Sequence, residues 1–465
     1  MKGSIADNLN FYAYLSLKLI GDDLYPHAYQ RGRTIRLSTI KKKWELAAAE
    51  FESGKGSDKL GFYVHFPYCD TKCFFCYCDS VACDDPDEIC AYVGLLKKEL
   101  DCFADAFEGT RMTSLYFGGG TPALLGPRGL DDLFRAVYAR YRFSVMAPVI
   151  FEGTAATLTE ETVKVLVDRK VTRLTIGLQT LDERVMRAYN RGRQNRDFVR
   201  VFERTKTLGI PFVNIDLIAG LEGQSVASFM KDVKLVVDIG ADMVHVNAFS
   251  PLAHTPFSRA GKKMSAGAMK NRDLMVVKGR EYLAARGYSP TLHDEMAKSD
   301  DAVNTQEADL RQKNSSMLGI GYGAESHAFG HLWYRHPRCI PAAPFDTAKI
   351  PPSTGVKSSA KDELVHFMVR NLRSGFRRST FRAIAGKDVL QVFGGQLKEL
   401  EAMGRVEITR ERVNTSMRNY KEFVMLSKHF YSAAAIRDIC KSLDDAFDPD
   451  EDYSGKLDTY FSAMD

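Results

Sequence analysis

The chain has 465 residues, 45% of them hydrophobic, with 64 Lys and Arg against 59 Asp and Glu. Such a length holds a large core and roughly 2–3 domains, and a net charge of +5 is too mild to imply a nucleic-acid partner. The N-terminus MKGSIADNLNFYAYL lacks a basic stretch followed by an unbroken apolar run, and no window approaches ~18 uncharged apolar residues, so neither a secretion signal nor a membrane span is expected and the cytoplasm is the expected location.

Residues 1–56 read as a helical extension, carried by NLNFYAYLSLKLI and LSTIKKKWELAAAEFESGKG, with Gly54 and Gly56 as a joint into the next unit. From 57 to 330 short β-rich runs alternate with helical stretches, the signature of βα units around a parallel sheet. Strands are predicted at 61–67, 113–117, 148–152, 172–178, 212–218 and 243–249. Between them, TEETVKVLVDR starts at a capping Thr159 and carries Val163, Leu166 and Val167 on one face. SVASFMKDVKLVVDIG starts at a Ser and stops at Gly240, a helix C-terminal glycine. Residues 331–360 are rich in proline and aperiodic, and read as a linker. Residues 361–465 read as a mainly helical lid, with GRVEITRERVNT as a hairpin that makes the order winged-helix-like. The C-terminal ends of the six strands lead into cysteines, into GGGT (Gly118 to Thr121), and to Glu152, Gln179, Asp216 and Asn247. Polar residues at successive strand ends describe one active-site face of a barrel or partial barrel.

Seven of the nine cysteines lie between Cys69 and Cys102. Cys83, Cys90, Cys102, Cys339 and Cys440 read as buried small hydrophobes. The stretch YVHFPYCDTKCFFCYCDS does not, being too dense in thiols and too polar. Cys69, Cys73 and Cys76 have the spacing C-x3-C-x2-C, whereas structural zinc usually takes two separated pairs of ligands. Three thiolates on a cubane 4Fe–4S cluster leave one iron open for a substrate or cofactor. Cys78 stands one residue beyond Cys76, tight for a second corner of the same cluster.

These residues, with YFGGGTPALL, RLTIGLQTLDERVMRAYNR, NIDLIAGLEGQS and LGIGYGAESHAFG in that order, resemble the radical S-adenosylmethionine (SAM) enzymes of the oxygen-independent coproporphyrinogen III dehydrogenase family, over roughly 60–330. The resemblance implies an α/β fold with a partial (β/α)6 barrel. It implies that Cys69, Cys73 and Cys76 hold the cluster and that its open iron binds SAM, which one electron cleaves to methionine and a deoxyadenosyl radical. Gly119, Gly120 and Thr121 then approach the methionine amino group, and Phe75 lies near adenine. Glu152, Gln179, Arg191 and Asp216 hold the rest of SAM, with Arg191 in a fork-like pair with a carboxylate. A second SAM is implied beside Tyr63 and near Gln312. Tyr63, His65 and Cys78 are the catalytic candidates, although Tyr63 also suits a core and His65 a satisfied strand position. A flavodoxin- or ferredoxin-type donor is implied as electron source, and the chain is expected to work as a monomer.

Three reactions run on this scaffold. Cys78 echoes the dehydrogenase pattern. LYPHAYQRGRTI at 24–35 replaces the block expected of true dehydrogenases, and Glu222 stands where the family usually has Pro. On that ground the first expectation is transfer of a methyl or methylene group to an sp2 carbon of an unsaturated small molecule, as methylation or cyclopropanation. The alternative is oxidative decarboxylation of coproporphyrinogen III, or haem handling.

Overall fold

Alternating apolar residues in the six expected runs commit one strand face to a helix layer, and the six strands form in the expected order. The architecture is taken from a computed structural model that describes residues 8–18, 33–192, 195, 197–252, 255–291, 295–304, 306, 315–338, 350–417, 420–442 and 446–462. Along the main sheet the strands are β1 (Arg33–Ile35), β2 (Lys59–Phe66), β3 (Ser114–Gly119), β4 (Val149–Gly153), β5 (Arg173–Gln179), β6 (Phe212–Ala219), β7 (Met243–Ala248), β8 (Ser289–Pro290), β9 (Glu295–Ala297), β10 (Ser315–Ile320), β11 (Glu325–Ala328), β12 (Leu332–Arg335) and β13 (Ser353–Lys357). Their spatial order is β1-β13-β12-β11-β10-β2-β3-β4-β5-β6-β7-β9-β8. β2 to β7 run parallel in chain order.

The helices cover the outer face. α3 (Pro86–Ala104), α4 (Gly126–Arg140), α5 (Glu160–Asp168), α7 (Phe198–Leu208) and α8 (Val226–Asp238) each bury an apolar stripe against the strands, and the short α6 (Glu183–Ala188) packs Val185 and Met186 against Cys73 and Phe75. Thr159 caps α5 by accepting from the Thr162 amide, and Ser225 caps α8 in a reciprocal box with Ser228. Phe62, Phe117, Phe134 and Phe151 are fully buried between sheet and helices; each such side chain contributes about 1.5–3 kcal/mol by leaving water. Among the described residues no helix is long and apolar enough to cross a membrane.

Three expectations are corrected. Residues 331–360 are not a plain linker: β12 and β13 lie there and extend the sheet antiparallel from β11. A seventh parallel strand, β10, pairs with β2. Residues 1–56 do not act as one helical unit. Helix α1 (Leu9–Lys18) puts Tyr12, Tyr14 and Leu15 into the C-terminal core. Helix α2 (Leu37–Glu52) instead puts Ile40 and Trp44 into the barrel core. Asn10 ties α1 to the C-terminal end of the chain, its Oδ1 accepting from the Tyr453 amide at 2.9 Å. Beyond 360 the order is helix, strand, helix, helix and hairpin, with strands 376–377, 412–415 and 406–408 side by side, as in a winged helix.

The cysteine expectation also changes. Cys90 is exposed, and Cys83, Cys102 and Cys440 are only partly buried; Cys339 lies outside the described residues.

Candidate active site

Period-two alternation sends one set of side chains to the helices and the other to the inner face of the curved sheet. Along β5, Leu174, Ile176 and Leu178 are buried outward, while Arg173, Thr175, Gly177 and Gln179 are less covered. The same register sets Tyr63 beside Tyr116 and His65 beside Gly118. On this inner face Tyr116 donates to the Glu152 carboxylate, and the Tyr63 and Tyr116 rings meet edge-on at 5.5 Å. Asn214 Nδ2 donates to Asp216 Oδ1 at 2.9 Å, and His245 Nδ1 lies 3.6 Å from the same oxygen.

The cysteine loop leaves the C-terminal end of β2. Phe75 anchors it, buried with Cys73 against Val185, Tyr189, Leu221, Phe249 and Phe257. Each of the three spaced thiols meets a different donor. The Thr121 hydroxyl donates to Cys69 Sγ at 3.4 Å, Arg191 Nη1 to Cys73 Sγ at 3.5 Å, and Lys72 Nζ to Cys76 Sγ at 3.6 Å. Burial pushes the Cys69 thiol up to about 11 and raises Cys73 against the pull of Arg191. Cys76 is held down at about 5 because Cys78 donates its proton toward it, and Cys78 is raised correspondingly. These thiols do not close on a single ion; a cubane puts its irons on separate corners and takes its thiolates further apart.

The glycine loop packs directly on the cysteine loop. Gly120 N donates to Phe66 O at 2.6 Å and Thr121 N to Tyr68 O at 2.8 Å. Gly119 has φ +107, where L side chains are strained. A Cβ at Gly119 would lie 2.7 Å from the His65 ring, and one at Gly120 would lie 2.5 Å from Tyr68 O. Glycine at both positions therefore lets the two loops pack backbone to backbone.

Across the face, Gln179 ends β5 with φ +68. Its turn is braced by Asn195 Nδ2 donating to Leu178 O and Thr180 O, at 2.6 and 2.7 Å. Asp232 on α8 braces it from outside, accepting from the Thr180 hydroxyl and the Leu181 amide. Burial pushes the Asp232 carboxyl up to about 6 from 3.8. A raised carboxyl binds its proton more tightly folded than unfolded, so its stabilising contribution is complete below about pH 4 and is lost as pH climbs through about 6. Urea unfolding from pH 4 to 7 should show the parent losing up to about 3 kcal/mol relative to Asp232→Asn; parallel curves would refute this.

His65 Nε2 lies 2.9 Å from the Asp79 carbonyl, which can only accept, so Nε2 carries the proton. Nδ1 then accepts from the Tyr63 hydroxyl at 3.0 Å. Burial lowers the His65 pKa and raises that of Tyr63, so both are neutral. Asp79 in turn faces Arg335 Nη2 and Arg338 Nε, each at 3.5 Å.

The structure thus draws Tyr63, His65, Cys69, Cys73, Cys76, Cys78, Gly119, Gly120, Thr121, Glu152, Gln179, Arg191 and Asp216 to one face. Gln312 lies outside the described residues. Two local expectations change. Among the described residues Arg191 meets the Gly177 carbonyl and a thiol rather than a carboxylate, because burial beside the cysteine loop offers it those acceptors. Phe75 is covered by Tyr189 and the Arg191 guanidinium, with its ring 5.9 Å from each. Lys72, Ser80, Tyr116, Asn214 and His245 were not singled out. Period-two spacing from Gly118, Asp216 and Asn247 would have pointed to Tyr116, Asn214 and His245; nothing local marks Lys72 or Ser80.

A cluster with SAM fits these residues. Each spaced thiol has a donor that would stabilise its thiolate. The glycine cradle has no room for side chains. Among the described residues, Gln179 Oε1 and Arg191 Nε are buried with no hydrogen-bond partner. The sequence pattern of the Radical SAM superfamily matches residues 63–236. Residues 63–236 are thus similar to a radical SAM domain.

The chain is 29% identical to an oxygen-independent coproporphyrinogen III oxidase of Bradyrhizobium diazoefficiens over 283 residues, covering 58% of this chain and 62% of that protein. It therefore spans less than two thirds of that relative. It is 25% identical to the Helicobacter pylori oxidase of the same name, covering 76% and 80%. It is also 25% identical to the heme chaperone HemW of Lactococcus lactis, covering 77% and 94%. The solved coproporphyrinogen III oxidase (HemN) from Escherichia coli superposes with a TM-score of 0.71 at 20% identity, covering 83% and 93%, so the fold is the radical SAM α/β fold. These relatives overturn the expectation of methyl or methylene transfer; the decarboxylase or haem-handling alternative fits them better. The two signals behind the first expectation are the stretch from Leu24 and Glu222. Residues 24–32 lie outside the described residues. Glu222 is an exposed turn residue whose amide donates to Tyr189 Oη at 2.9 Å.

Proposed function

We propose that the chain is a radical SAM enzyme that oxidatively decarboxylates propionate side chains of a coproporphyrinogen. The observation that carries this reading is Cys78, partly buried beside Cys76 and within electrostatic reach of Tyr63 and Glu152. Cys69, Cys73 and Cys76 would hold the 4Fe–4S cluster. Gly119 and Gly120 would lie along the methionine of SAM, with Glu152, Gln179, Arg191 and Asp216 around the remainder. When bound, the reduced cluster and SAM supply hydrogen-atom abstraction from the propionate, after which loss of carbon dioxide and of one electron to an external acceptor leaves a vinyl group. Tyr63 keeps its proton on the phenol oxygen and directs it at His65 Nδ1. The apolar wall of Phe75, Tyr189 and Phe257 excludes water beneath the loop. A second SAM against Tyr63 and a flavodoxin- or ferredoxin-type donor belong to the same proposal.

The near-complete coverage of the Lactococcus chaperone favours a second reading, haem handling. The test is anaerobic turnover of reconstituted, dithionite-reduced protein with SAM and coproporphyrinogen III. The decarboxylase reading expects 5′-deoxyadenosine and carbon dioxide to form together. Stable haem binding with no 5′-deoxyadenosine would replace it with the haem-handling reading.

A further inference from the structure

Of the three donors that meet the spaced thiols, one is a neutral hydroxyl and two are cations. Arg191 reaches Cys73 from 118 residues away. Lys72 comes from within the loop itself, between Cys69 and Cys73. Its ammonium donates to the Cys78 carbonyl at 2.8 Å, to Ser80 Oγ at 2.8 Å, and to Cys76 Sγ at 3.6 Å. An ammonium has three donor positions, so all three are engaged and the charge is fixed in place. The backbone on both sides is held as well. Asn190 Nδ2 donates to Lys72 O at 3.1 Å, and the Ser80 amide donates to Cys78 O at 2.8 Å. Ser80 Oγ itself lies 3.9 Å from Cys76 Sγ.

A cluster that gains an electron places more negative charge on its sulfur ligands. A cation held by hydrogen bond to one of those sulfurs stabilises the reduced form more than the oxidised form. Hydrogen bonds to sulfur and local charge are the levers by which proteins set iron–sulfur potentials. We propose that Lys72 is a positioning residue that raises the reduction potential of the cluster through Cys76. This rests on the cluster assigned above to Cys69, Cys73 and Cys76. Lys72 would ease entry of the electron from a weak one-electron donor, and would lower the driving force left for reductive cleavage of SAM.

The test is potentiometric titration of the reconstituted full chain, without SAM, followed by the electron paramagnetic resonance signal of the reduced cluster. Lys72→Met keeps the aliphatic stem and removes charge and donors. At a fixed potential its ratio of reduced to oxidised cluster should fall about tenfold, equivalent to about 59 mV for one electron. Lys72→Arg should stay with the parent. A Lys72→Met midpoint equal to the parent's, at equal iron and sulfide content, overturns the inference. Should Lys72→Met load too little iron, Lys72→Gln, uncharged but still a donor, is titrated against the same criterion. Loss of iron with an unmoved midpoint in the loaded fraction would make Lys72 a clamp of the loop, and also overturns it. A parent chain that assembles no cluster defeats the cluster reading and this inference together; equal midpoints in loaded proteins defeat this inference alone.

Discussion

Serine at Cys69, Cys73 or Cys76 is expected to remove the cluster and bring 5′-deoxyadenosine formation down to the level without protein, whereas serine at Cys78 should leave the cluster assembled. The reason is the division of labour among the four thiols. Cys69, Cys73 and Cys76 each receive a separate donor from Thr121, Arg191 and Lys72, so each thiolate is stabilised in its own direction. Cys78 is instead oriented at Cys76, to which its thiol donates a hydrogen bond while keeping its proton. Its role is that of an outer partner of a ligand, and losing such a partner commonly costs about 10–100-fold in activity or metal affinity. Iron and sulfide content, the spectrum of the reduced cluster and chromatographic 5′-deoxyadenosine measure the contrast. A Cys78→Ser protein without iron would make Cys78 a ligand, and a fully loaded Cys73→Ser protein would remove Cys73 from the set.

The second large effect is at Gly120. A methyl there would lie 2.5 Å from Tyr68 O and 2.9 Å from Phe66 O, both backbone atoms that cannot swing away. The GGGT loop would have to lift from the cysteine loop, breaking the Gly120 amide bond to Phe66 O and drawing Thr121 away from Cys69. Overpacking of this kind costs about 1–3 kcal/mol. SAM binding should weaken with it, since the proposed site lays the methionine of SAM along the same backbone. The control is Gly94→Ala in α3, where nothing lies within 4 Å of the added carbon; it should gain about 0.5–1 kcal/mol from the better helix former. Denaturant unfolding and a SAM titration on the reconstituted proteins report both effects. Parent-like stability and SAM affinity in Gly120→Ala would show that the loop has slack the packing does not reveal.

Local signals carried most of the barrel. β-branched and aromatic runs such as FVNIDLI and TRLTIGL have strong strand preference, and Thr159 and Ser225 cap helices whose ends the chain announces within a few residues. The spacing of Cys69, Cys73 and Cys76 is likewise a property of eight neighbouring residues. What lay hidden depends on partners distant in the chain. The Pro-rich stretch at 331–360 forms strands because β11 offers β12 an open edge and β12 then offers one to β13, whereas its own residues show no period. Tyr12, Tyr14 and Leu15 find their apolar partners only in a core built after residue 364.

The sequence by itself determined that six strands end on one face and that three thiols stand ready for a cluster there, because strand preference and ligand spacing are local. Only the tertiary structure decided which charge meets which sulfur. Arg191 reaches Cys73 across 118 residues and Thr121 reaches Cys69 across 52, pairings that exist once the sheet has curved. The Lys72 contact spans four residues, yet it too depends on Asn190 and Ser80 holding the loop folded back on itself. Spacing identifies ligands, but the field around them is set by whatever the fold brings within hydrogen-bond reach.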